Sequence, residues 1–325
     1  MSQAASKKLS FYDLEPETTS LYDDVIEGLN KTSRAIPPKY FYDEQGSRLF
    51  DDICETAEYY PTLTEMRIIE ENLEEISHCI GSGCVLIEPG SGSSQKVRLL
   101  LDSVEPHTYM PLDISSDYLQ SVAQGLAQEY PRLNVAAACV DYTAPLELPH
   151  CPVGMSRVAF FPGSSIGNFE PEDAIGFLSN IADMVQPGGG LLIGVDLKKS
   201  PEILNAAYDD KQGITAAFNL NILTRINAEL NANFNLDAFQ HKAFYNDRHG
   251  RVEMHLVSRQ AQMVNISGKR FRFEAGDSIH TENSYKYAID EFHALAKQAG
   301  FEAQRVWTDA EELFSIHYFR CVERK

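Results

Sequence analysis

Between residues 84 and 198 the sequence alternates repeatedly between short apolar segments and helical segments. Five apolar segments are predicted as strands, namely CVLIE, HTYMPLDIS, LNVAAACVDYT, SRVAFF and LLIGVDLKK. The segments KVRLLLDSV, SDYLQSVAQGLAQEY and EPEDAIGFLSNIADMV are predicted as helices between them. Apolar strands that alternate with helices form a parallel sheet covered on both faces. The sequence therefore predicts an α/β fold with a doubly wound sheet.

This rhythm is interrupted after residue 198 and is restored near the C-terminus. The interruption begins with two helical stretches and continues with a hairpin whose turn is Asp247–Gly250. A helix closed by Gly300 and the strands FEAQRVWTD and LFSIHYFRCVE then complete the sheet. We predict a sheet core formed by residues 64–198 and 286–325. Residues 8–63 and 199–285 are predicted to form a second, α+β lobe.

The N-terminal part is predicted to contain two helices before the first strand of the core. SRLFDDICETA, residues 47–57, has the pattern of a short helix. Thr62-x-x-Glu65 has the form of a capping box, which predicts a second helix that begins there and runs to about His78.

Composition limits the class of protein. The net charge of −19 repels phosphate backbones and anionic lipid, so we expect neither nucleic acid nor a membrane as partner. The six cysteines show no metal-ligand spacing and the nine histidines form no HExxH motif, which predicts reduced thiols and no metal. No apolar run approaches the roughly 20 residues of a membrane helix, and no signal sequence is evident. We expect a cytoplasmic monomer.

A glycine-rich loop and strand-end acids predict a nucleoside site. Glu88-Pro-Gly90-Ser-Gly92-Ser-Ser follows the first core strand and opens a helix, where glycines allow close approach of a ligand. The third glycine of the GxGxxG dinucleotide fingerprint is missing, and its absence disfavours the interpretation of the chain as an NAD-dependent oxidoreductase. Asp113 and Asp141 are predicted to end the next two strands, where ribose hydroxyls and an adenine amine would lie. Each acid alone is about equally well explained as a helix N-cap, but the ordered set favours a nucleoside such as that of S-adenosylmethionine (SAM).

The fourth core strand ends in a loop of small residues, Gly163-Ser-Ser-Ile-Gly-Asn168. This composition is also typical of a simple turn. In the doubly wound topology the loop would face the transferable methyl group, with room for a substrate beside Gly163. Asn168 can both donate and accept hydrogen bonds there.

The polar stretch HTENSYKY, residues 280–287, has no apolar face when it is drawn as a strand. Strict alternation places His280, Glu282, Ser284 and Lys286 on one face and the intervening residues on the other. The segment is therefore either a solvated loop or the wall of a wet pocket.

Several long segments resemble the L-histidine Nα-methyltransferases of ergothioneine biosynthesis. They are PPKYFYDEQGSRLF, EYYPTLTE, EPGSGSSQKVRLLLD, GSSIGNF, AAYDDKQGITAAFN, RVEMHL and HTENSYKY, and they extend from about residue 36 to the C-terminus. The resemblance implies a class I, Rossmann-like SAM-methyltransferase core with a second lobe that completes the substrate pocket. This chain departs from the family pattern at several positions, including Asn283 and Tyr285, where smaller or apolar residues are usual.

The resemblance also implies roles for individual residues. Asn168 and Tyr208 would hold the substrate carboxylate, and Tyr42 would lie near the amine, where it or a bridging water relays a proton. Tyr59, Glu282 and Ser284 would bind the imidazole, and Met254 would pack against the ring. Phe50 and Gly163 would leave room for a methylated amine. The SAM site would comprise Glu88, Gly90, Gly92, Lys96, Asp113, Asp141 and Tyr142.

The implied reaction is three successive methyl transfers from SAM to the α-amine of L-histidine, which gives hercynine. One alternative keeps the chemistry and changes the substrate to another aromatic amino acid, such as a tryptophan derivative. A second alternative is a protein that binds SAM or a nucleoside without turnover. The Glu282/Ser284 pair favours histidine, and the complete set of substrate residues favours an enzyme.

Overall fold

The computed structural model describes residues 9–14, 20–92, 95–149 and 151–324. Residues 8 and 15–19 of the predicted second lobe, His150 and Lys325 of the predicted core, and Ser93 and Ser94 of the glycine-rich loop lie outside the described residues. The strands are β1 (Leu9–Asp13), β2 (Val85–Pro89), β3 (Thr108–Asp113), β4 (Asn134–Cys139), β5 (Arg157–Phe161), β6 (Gly190–Asp196), β7 (Phe239–Asn246), β8 (Arg251–Ser258), β9 (Gln262–Ile266), β10 (Lys269–Phe273), β11 (Ser278–Tyr285), β12 (Phe301–Thr308) and β13 (Phe314–Cys321). The helices are α1 (Leu21–Asn30), α2 (Glu44–Cys54), α3 (Tyr60–Glu71), α4 (Leu73–Ile80), α5 (Gln95–Val104), α6 (Ser116–Glu129), α7 (Pro171–Val185), α8 (Pro201–Tyr208), α9 (Ile214–Glu229) and α10 (Ile289–Gln298).

The doubly wound sheet is confirmed. Eight strands run in the order β1-β4-β3-β2-β5-β6-β13-β12, with parallel pairing from β1 to β6 and antiparallel pairing of β13 with its two neighbours. This order reverses direction between β2 and β5, which is where open α/β sheets bind their ligands. Alternate residues of β2 enter different cores, with Val85 and Ile87 on one face and Leu86 on the other. The sheet is thus buried on both faces, as its near-continuous apolar strands require.

The second lobe is built around the antiparallel sheet β11-β8-β7 and the hairpin of β9 with β10. Helix α9 contacts both β7 and α2, so the N-terminal segment and the central insertion share one apolar core. The predicted hairpin turn at Asp247–Gly250 joins β7 to β8. The further hairpin of β9 with β10 has no counterpart in the sequence prediction.

The predicted division of the chain differs from the sheet pairing at its N-terminal end. Residues 9–13 were assigned to the second lobe, but they form β1 and pair in parallel with β4 at the edge of the large sheet. Leu9 and Phe11 pack against the core of that sheet. The other predicted boundaries stay a prediction.

The predicted capping box is wrong. Helix α3 begins at Tyr60 with Pro61 in its first turn, a position where proline loses no hydrogen bond. Thr62 lies inside the helix and its hydroxyl donates to the Cys54 sulfur at 3.3 Å. The helix also ends earlier than predicted, because Asn72 leaves helical geometry (φ −118°) and separates α3 from α4. Glu65 therefore does not cap a helix; its carboxylate instead contacts the Gly163 N–H and Lys96.

Candidate active site

A cavity lies where the small-residue loop after β5 meets β8 and β11. The eight residues predicted for catalysis and substrate binding all line this cavity, and Phe50 does so as well. The predicted residues come from six separate segments of the chain, so the fold brings them together from a distance. They are Tyr42, Tyr59, Gly163, Asn168, Tyr208, Met254, Glu282 and Ser284.

A bulge in β11 decides which side chains of HTENSYKY face the cavity. The pairing of β11 with β8 shifts register between His280 and Glu282. An inserted residue reverses the alternation of faces, since side chains of a strand have a period of two. Glu282 and Ser284 therefore share the cavity face, as predicted, but His280 lies on the opposite face. There its ring stacks on His255 with centroids 4.7 Å apart.

Asn283 and Tyr285, where this chain departs from the family pattern, also lie on the outer face. The Asn283 amide donates to Glu170 Oε1 at 2.9 Å, and the Tyr285 hydroxyl donates to Glu170 Oε2. Arg251 donates to the Tyr285 hydroxyl at 2.6 Å and to Glu170 at 2.9 Å. These departures form a polar cluster behind the strand and leave the cavity wall unchanged.

The loop that carries Gly163 and Asn168 is fixed by close backbone contacts. Gly163 has φ +80°, a conformation that glycine adopts without strain. Its N–H donates to both carboxylate oxygens of Glu65 at 2.9 Å. A side chain on Gly167 would lie 2.7 Å from the Tyr285 carbonyl oxygen, so the loop packs directly against β11. Asn168 ends the short 3-10 helix of this loop and so reaches the cavity.

Sequence reasoning missed a buried charge network behind the cavity. Lys286 is 2% exposed, and its ammonium lies 2.6 Å from Asp196, 2.7 Å from Ser284 and 2.9 Å from the Tyr208 hydroxyl. The Asp196 carboxylate also accepts from Tyr60 at 2.7 Å and from Lys199 at 2.6 Å. The signal in the sequence was a lysine two residues after Ser284, on the predicted face of the strand.

An aromatic wall closes the cavity on the side of the second lobe. The Tyr42 ring lies 5.7 Å from Phe50 and 5.8 Å from Phe218, and Phe50 and Phe218 lie 6.0 Å apart. The Tyr59 ring contacts Phe50 at 6.2 Å and Tyr208 at 6.2 Å, mostly edge to face. Such a wall offers apolar surface together with ring faces that attract cations.

Burial sets the protonation of the tyrosine and acid at this wall. Loss of hydration, with the nearby charge of Glu282, raises the pKa of Tyr42 above its ordinary value. Although Tyr42 is 46% exposed, its raised pKa keeps the hydroxyl protonated at neutral pH. Burial also raises the pKa of Glu282 from 4.5 to about 7, against the opposing charge of Lys286. Glu282 can therefore gain or lose a proton near neutral pH.

The predicted SAM residues lie at the carboxyl ends of β2, β3 and β4. Glu88 is buried and accepts a hydrogen bond from Tyr109, and burial raises its pKa to about 7. Asp113 ends β3 and accepts from the Ser115 N–H at 2.9 Å. Asp141 lies two residues beyond the end of β4 and accepts from the Thr143 N–H and hydroxyl, which is a local turn.

Gly90 and Lys96 are placed by contacts within the chain. Gly90 has φ +67°, and an added side chain would lie 2.8 Å from the Tyr142 hydroxyl. The Lys96 ammonium forms an ion pair with Glu65, which also binds the Gly163 N–H. The Glu65 pair thus connects the helix after the glycine-rich loop to the loop of the cavity.

The described part of the glycine-rich loop fits a bound nucleoside. Ser91 is fully buried, yet its hydroxyl has no hydrogen-bond partner among the described residues. A side chain on Gly92 would meet no atom within 4 Å, so open space lies beside the loop. A buried hydroxyl without a partner is costly unless a ligand or water satisfies it. Acceptors at Glu88 and Asp113 would suit ribose hydroxyls.

Within the described ranges, Glu253, His255 and His280 could bring ligand atoms within 4.8 Å of one another. Their ligand atoms already have hydrogen-bond partners: His255 lies 3.1 Å from Glu253 within the group, and His280 lies 2.9 Å from the Glu282 carbonyl. Arg251 donates to Glu253 at 2.8 Å, which opposes a cation. The cluster lies on the outer face of β8 and β11. The prediction that the reaction uses no metal stays a prediction.

No helix in the described part of the chain is long and apolar enough to cross a membrane. The predicted compartment and monomeric state stay predictions.

Comparison with known proteins agrees with this site. A family profile described as "Histidine-specific methyltransferase, SAM-dependent" matches residues 21–321. A histidine N-alpha-methyltransferase of Mycolicibacterium smegmatis is 41% identical, over 91% of this chain and 94% of that protein. One of Mycobacterium tuberculosis is 38% identical, over 91% and 94%. "Ergothioneine biosynthesis protein 1" of Neurospora crassa is 31% identical over 87% of this chain and 33% of that protein.

The profile spans nearly the whole chain, and the two bacterial relatives align with it over almost their full length. This chain belongs to the family of histidine-specific, SAM-dependent methyltransferases.

Proposed function

We propose that this protein transfers three methyl groups in turn from SAM to the α-amine of L-histidine and thereby forms hercynine, in ergothioneine biosynthesis. The observation that carries the proposal is the position of Glu282 and Ser284 on the cavity face of β11, in the same cavity as Asn168 and Tyr208. One pair suits an imidazole and the other suits an α-carboxylate. Family membership supports the same substrate.

The ring would lie between β11 and the aromatic wall. Glu282 would accept a hydrogen bond from a ring N–H, and Ser284 would bond the other ring nitrogen. Met254, which pairs with Glu282 across the two strands, would pack against the ring face together with Tyr59. Because Glu282 is partly buried, a ligand that offers no donor would leave a carboxylate unpaired.

The substrate carboxylate would lie beside Asn168 and Tyr208. Asn168 ends the loop helix and lines the cavity, where its amide would donate to the carboxylate. The Tyr208 hydroxyl donates to Ser284 at 2.7 Å in this structure. Contact with a carboxylate would require that hydroxyl to turn toward the ligand, while Lys286 remains bonded to its oxygen.

Bound SAM supplies a methyl group on a positively charged sulfur. The residues of this chain would mainly align the amine with that methyl group, since positioning provides much of the barrier reduction in such transfers. Tyr42 is protonated at neutral pH and would act as a hydrogen-bond partner of the amine, so the amine must lose its proton by another route. The rings of Phe50 and Phe218 would favour the increasingly methylated, cationic nitrogen.

A substrate panel tests the proposal. Purified protein and SAM would be incubated with histidine, tryptophan, a prenylated tryptophan and phenylalanine, and products would be identified by mass. We expect methylated histidine, with S-adenosylhomocysteine formed in proportion. Methylation of the tryptophans alone would change the substrate class, and binding of SAM without turnover would refute an enzymatic role.

A single substitution tests the assignment of Glu282 to the pocket for the imidazole ring. Glu282→Ala should raise the KM for histidine about 10-fold or more, because a hydrogen bond to a charged group is lost, and leave the KM for SAM nearly unchanged. Equal increases in both constants would place Glu282 outside the ring pocket.

A further inference from the structure

Lys286 directly follows β11 and is one of the most buried charged groups of the described chain, at 2% exposure. Its ammonium lies 2.6 Å from Asp196 Oδ2, 2.7 Å from Ser284 Oγ and 2.9 Å from Tyr208 Oη. An ammonium has three donors and no acceptor, so these contacts use all its protons. Burial lowers the pKa of Lys286, but Asp196 and Tyr208 outweigh burial and raise it, so the group stays charged.

This arrangement determines which hydrogen-bonding group Ser284 offers to a ligand. The Ser284 oxygen accepts one bond from Lys286 and another from the Tyr208 hydroxyl at 2.7 Å. A serine hydroxyl has two acceptor sites and a single proton. With both acceptor sites filled, only the proton is left for the cavity. If Tyr208 turns toward a substrate carboxylate, Lys286 still fills one acceptor site of Ser284. Because an ammonium cannot accept a hydrogen bond, the Ser284 proton must then still point away from Lys286, and it remains available to a ligand in the cavity.

We propose that Lys286 is a positioning residue that holds Ser284 as a hydrogen-bond donor. The pocket then selects a ring that has an unprotonated nitrogen facing Ser284 and an N–H facing Glu282. This inference rests on the proposed function, because it concerns how histidine is recognised. Neutral imidazole provides both groups. Indole provides an N–H but no ring acceptor, so it would leave the Ser284 proton unpaired.

Asp196 fixes Lys286 from behind and provides the control for the test. Its carboxylate is shared between Lys286 and a second ammonium, that of Lys199, at 2.6 Å. Lys199 donates to the Tyr60 hydroxyl at 2.6 Å and to the Leu197 carbonyl at 2.5 Å. Removal of either lysine takes one positive charge from Asp196, but only Lys286 contacts both Ser284 and Tyr208.

The experiment compares Lys286→Met with Lys199→Met by histidine binding calorimetry and by steady-state kinetics. We expect Lys286→Met to weaken histidine binding roughly 10- to 100-fold, because a charge-assisted hydrogen bond is lost, and to change the KM for SAM less than about threefold. Lys199→Met should change both less than about threefold. In a Ser284→Ala background, Lys286→Met should have little further effect on histidine binding, since coupled residues are not additive.

If Lys286→Met does not fold, the triple variant Lys286→Met/Lys199→Met/Asp196→Asn removes all three charges of the network and leaves no unpaired ion of that network buried. Its reference is Lys199→Met/Asp196→Asn, which differs from it only at Lys286. The inference is overturned if Lys286→Met weakens histidine and SAM equally, or if its effect is as large in the Ser284→Ala background. Failure of the wild-type protein to bind or methylate histidine would instead refute the proposed function. The two failures are therefore distinguishable.

Discussion

Glu282 is expected to lower the stability of the ligand-free protein at neutral and higher pH, and Glu282→Gln should remove that cost. Burial raises the pKa of this carboxyl from 4.5 to about 7, although Lys286 opposes the rise. A carboxyl group whose pKa is higher in the folded protein than in the unfolded chain is neutral in both states at pH values below the unfolded pKa. Its ionisation favours the unfolded chain as the pH rises through 4.5 toward 7, so stability is lost in that window.

The magnitude follows from the two pKa values. A rise from 4.5 to about 7 corresponds to roughly 3 kcal/mol at about 1.4 kcal/mol for each tenfold change. Glu282 is only partly buried in the cavity wall, so solvent reduces this value. We expect Glu282→Gln to be more stable than wild type, with an advantage that grows by about 1–2 kcal/mol between pH 5.5 and pH 8.

The assay is urea unfolding of the ligand-free protein at both pH values, followed by circular dichroism. Glu253→Gln is the matched control on the neighbouring strand β8. Burial raises the pKa of Glu253, but Arg251 and His255 outweigh it and lower the pKa, so this substitution should destabilise the protein at pH 8. A Glu282→Gln variant whose stability difference from wild type is independent of pH would refute the reasoning.

Three further substitutions test the sites around the cavity. Asp113→Asn should raise the KM for SAM about 10-fold by removing a charged ribose acceptor, and an equal rise in the KM for histidine would contradict its place in the SAM site. Gly163→Ala should lower kcat and lower the free energy of unfolding by about 1–3 kcal/mol, because φ of Gly163 is +80°. The control Gly176→Ala, in helix α7, should raise the free energy of unfolding by up to about 1 kcal/mol. Equal effects of the two substitutions in urea unfolding would refute the conformational argument. Lys96→Met should lower Tm, because it leaves the Glu65 carboxylate buried without its ion pair. The double variant Lys96→Met/Glu65→Gln should return Tm toward the wild-type value. A double variant with the same low Tm would show that the unpaired carboxylate is not the cause of the destabilisation.

The sheet and the cavity residues could be predicted because their signals are local. Each core strand is a short apolar run followed by a loop or helix signal, and this pattern specifies a parallel sheet without knowledge of long-range contacts. Glu282 and Ser284 are two residues apart, so they share a face in any extended conformation. The resemblance to a known family supplied the remaining cavity residues, such as Tyr208 and Met254.

The features that sequence reasoning missed depend on contacts between distant segments. Alternation alone places His280 beside Glu282, but the bulge between them has no local sequence signal and moves His280 to the outer face. The pairing of Lys286 with Asp196 joins the end of β11 to the end of β6. The contact of Glu65 with the Gly163 N–H likewise appears only when α3 packs beside the loop, and the capping-box pattern concealed it.

The central claim is that the cavity holds histidine by its ring and carboxylate and presents the α-amine for repeated methylation. Fragmentation mass spectrometry of the product formed from histidine and isotopically labelled SAM tests this most directly. We expect three labelled methyl groups, all on the α-nitrogen, with the ring unlabelled. A label on a ring nitrogen would contradict the proposed orientation, and the absence of any labelled histidine would contradict the claim itself.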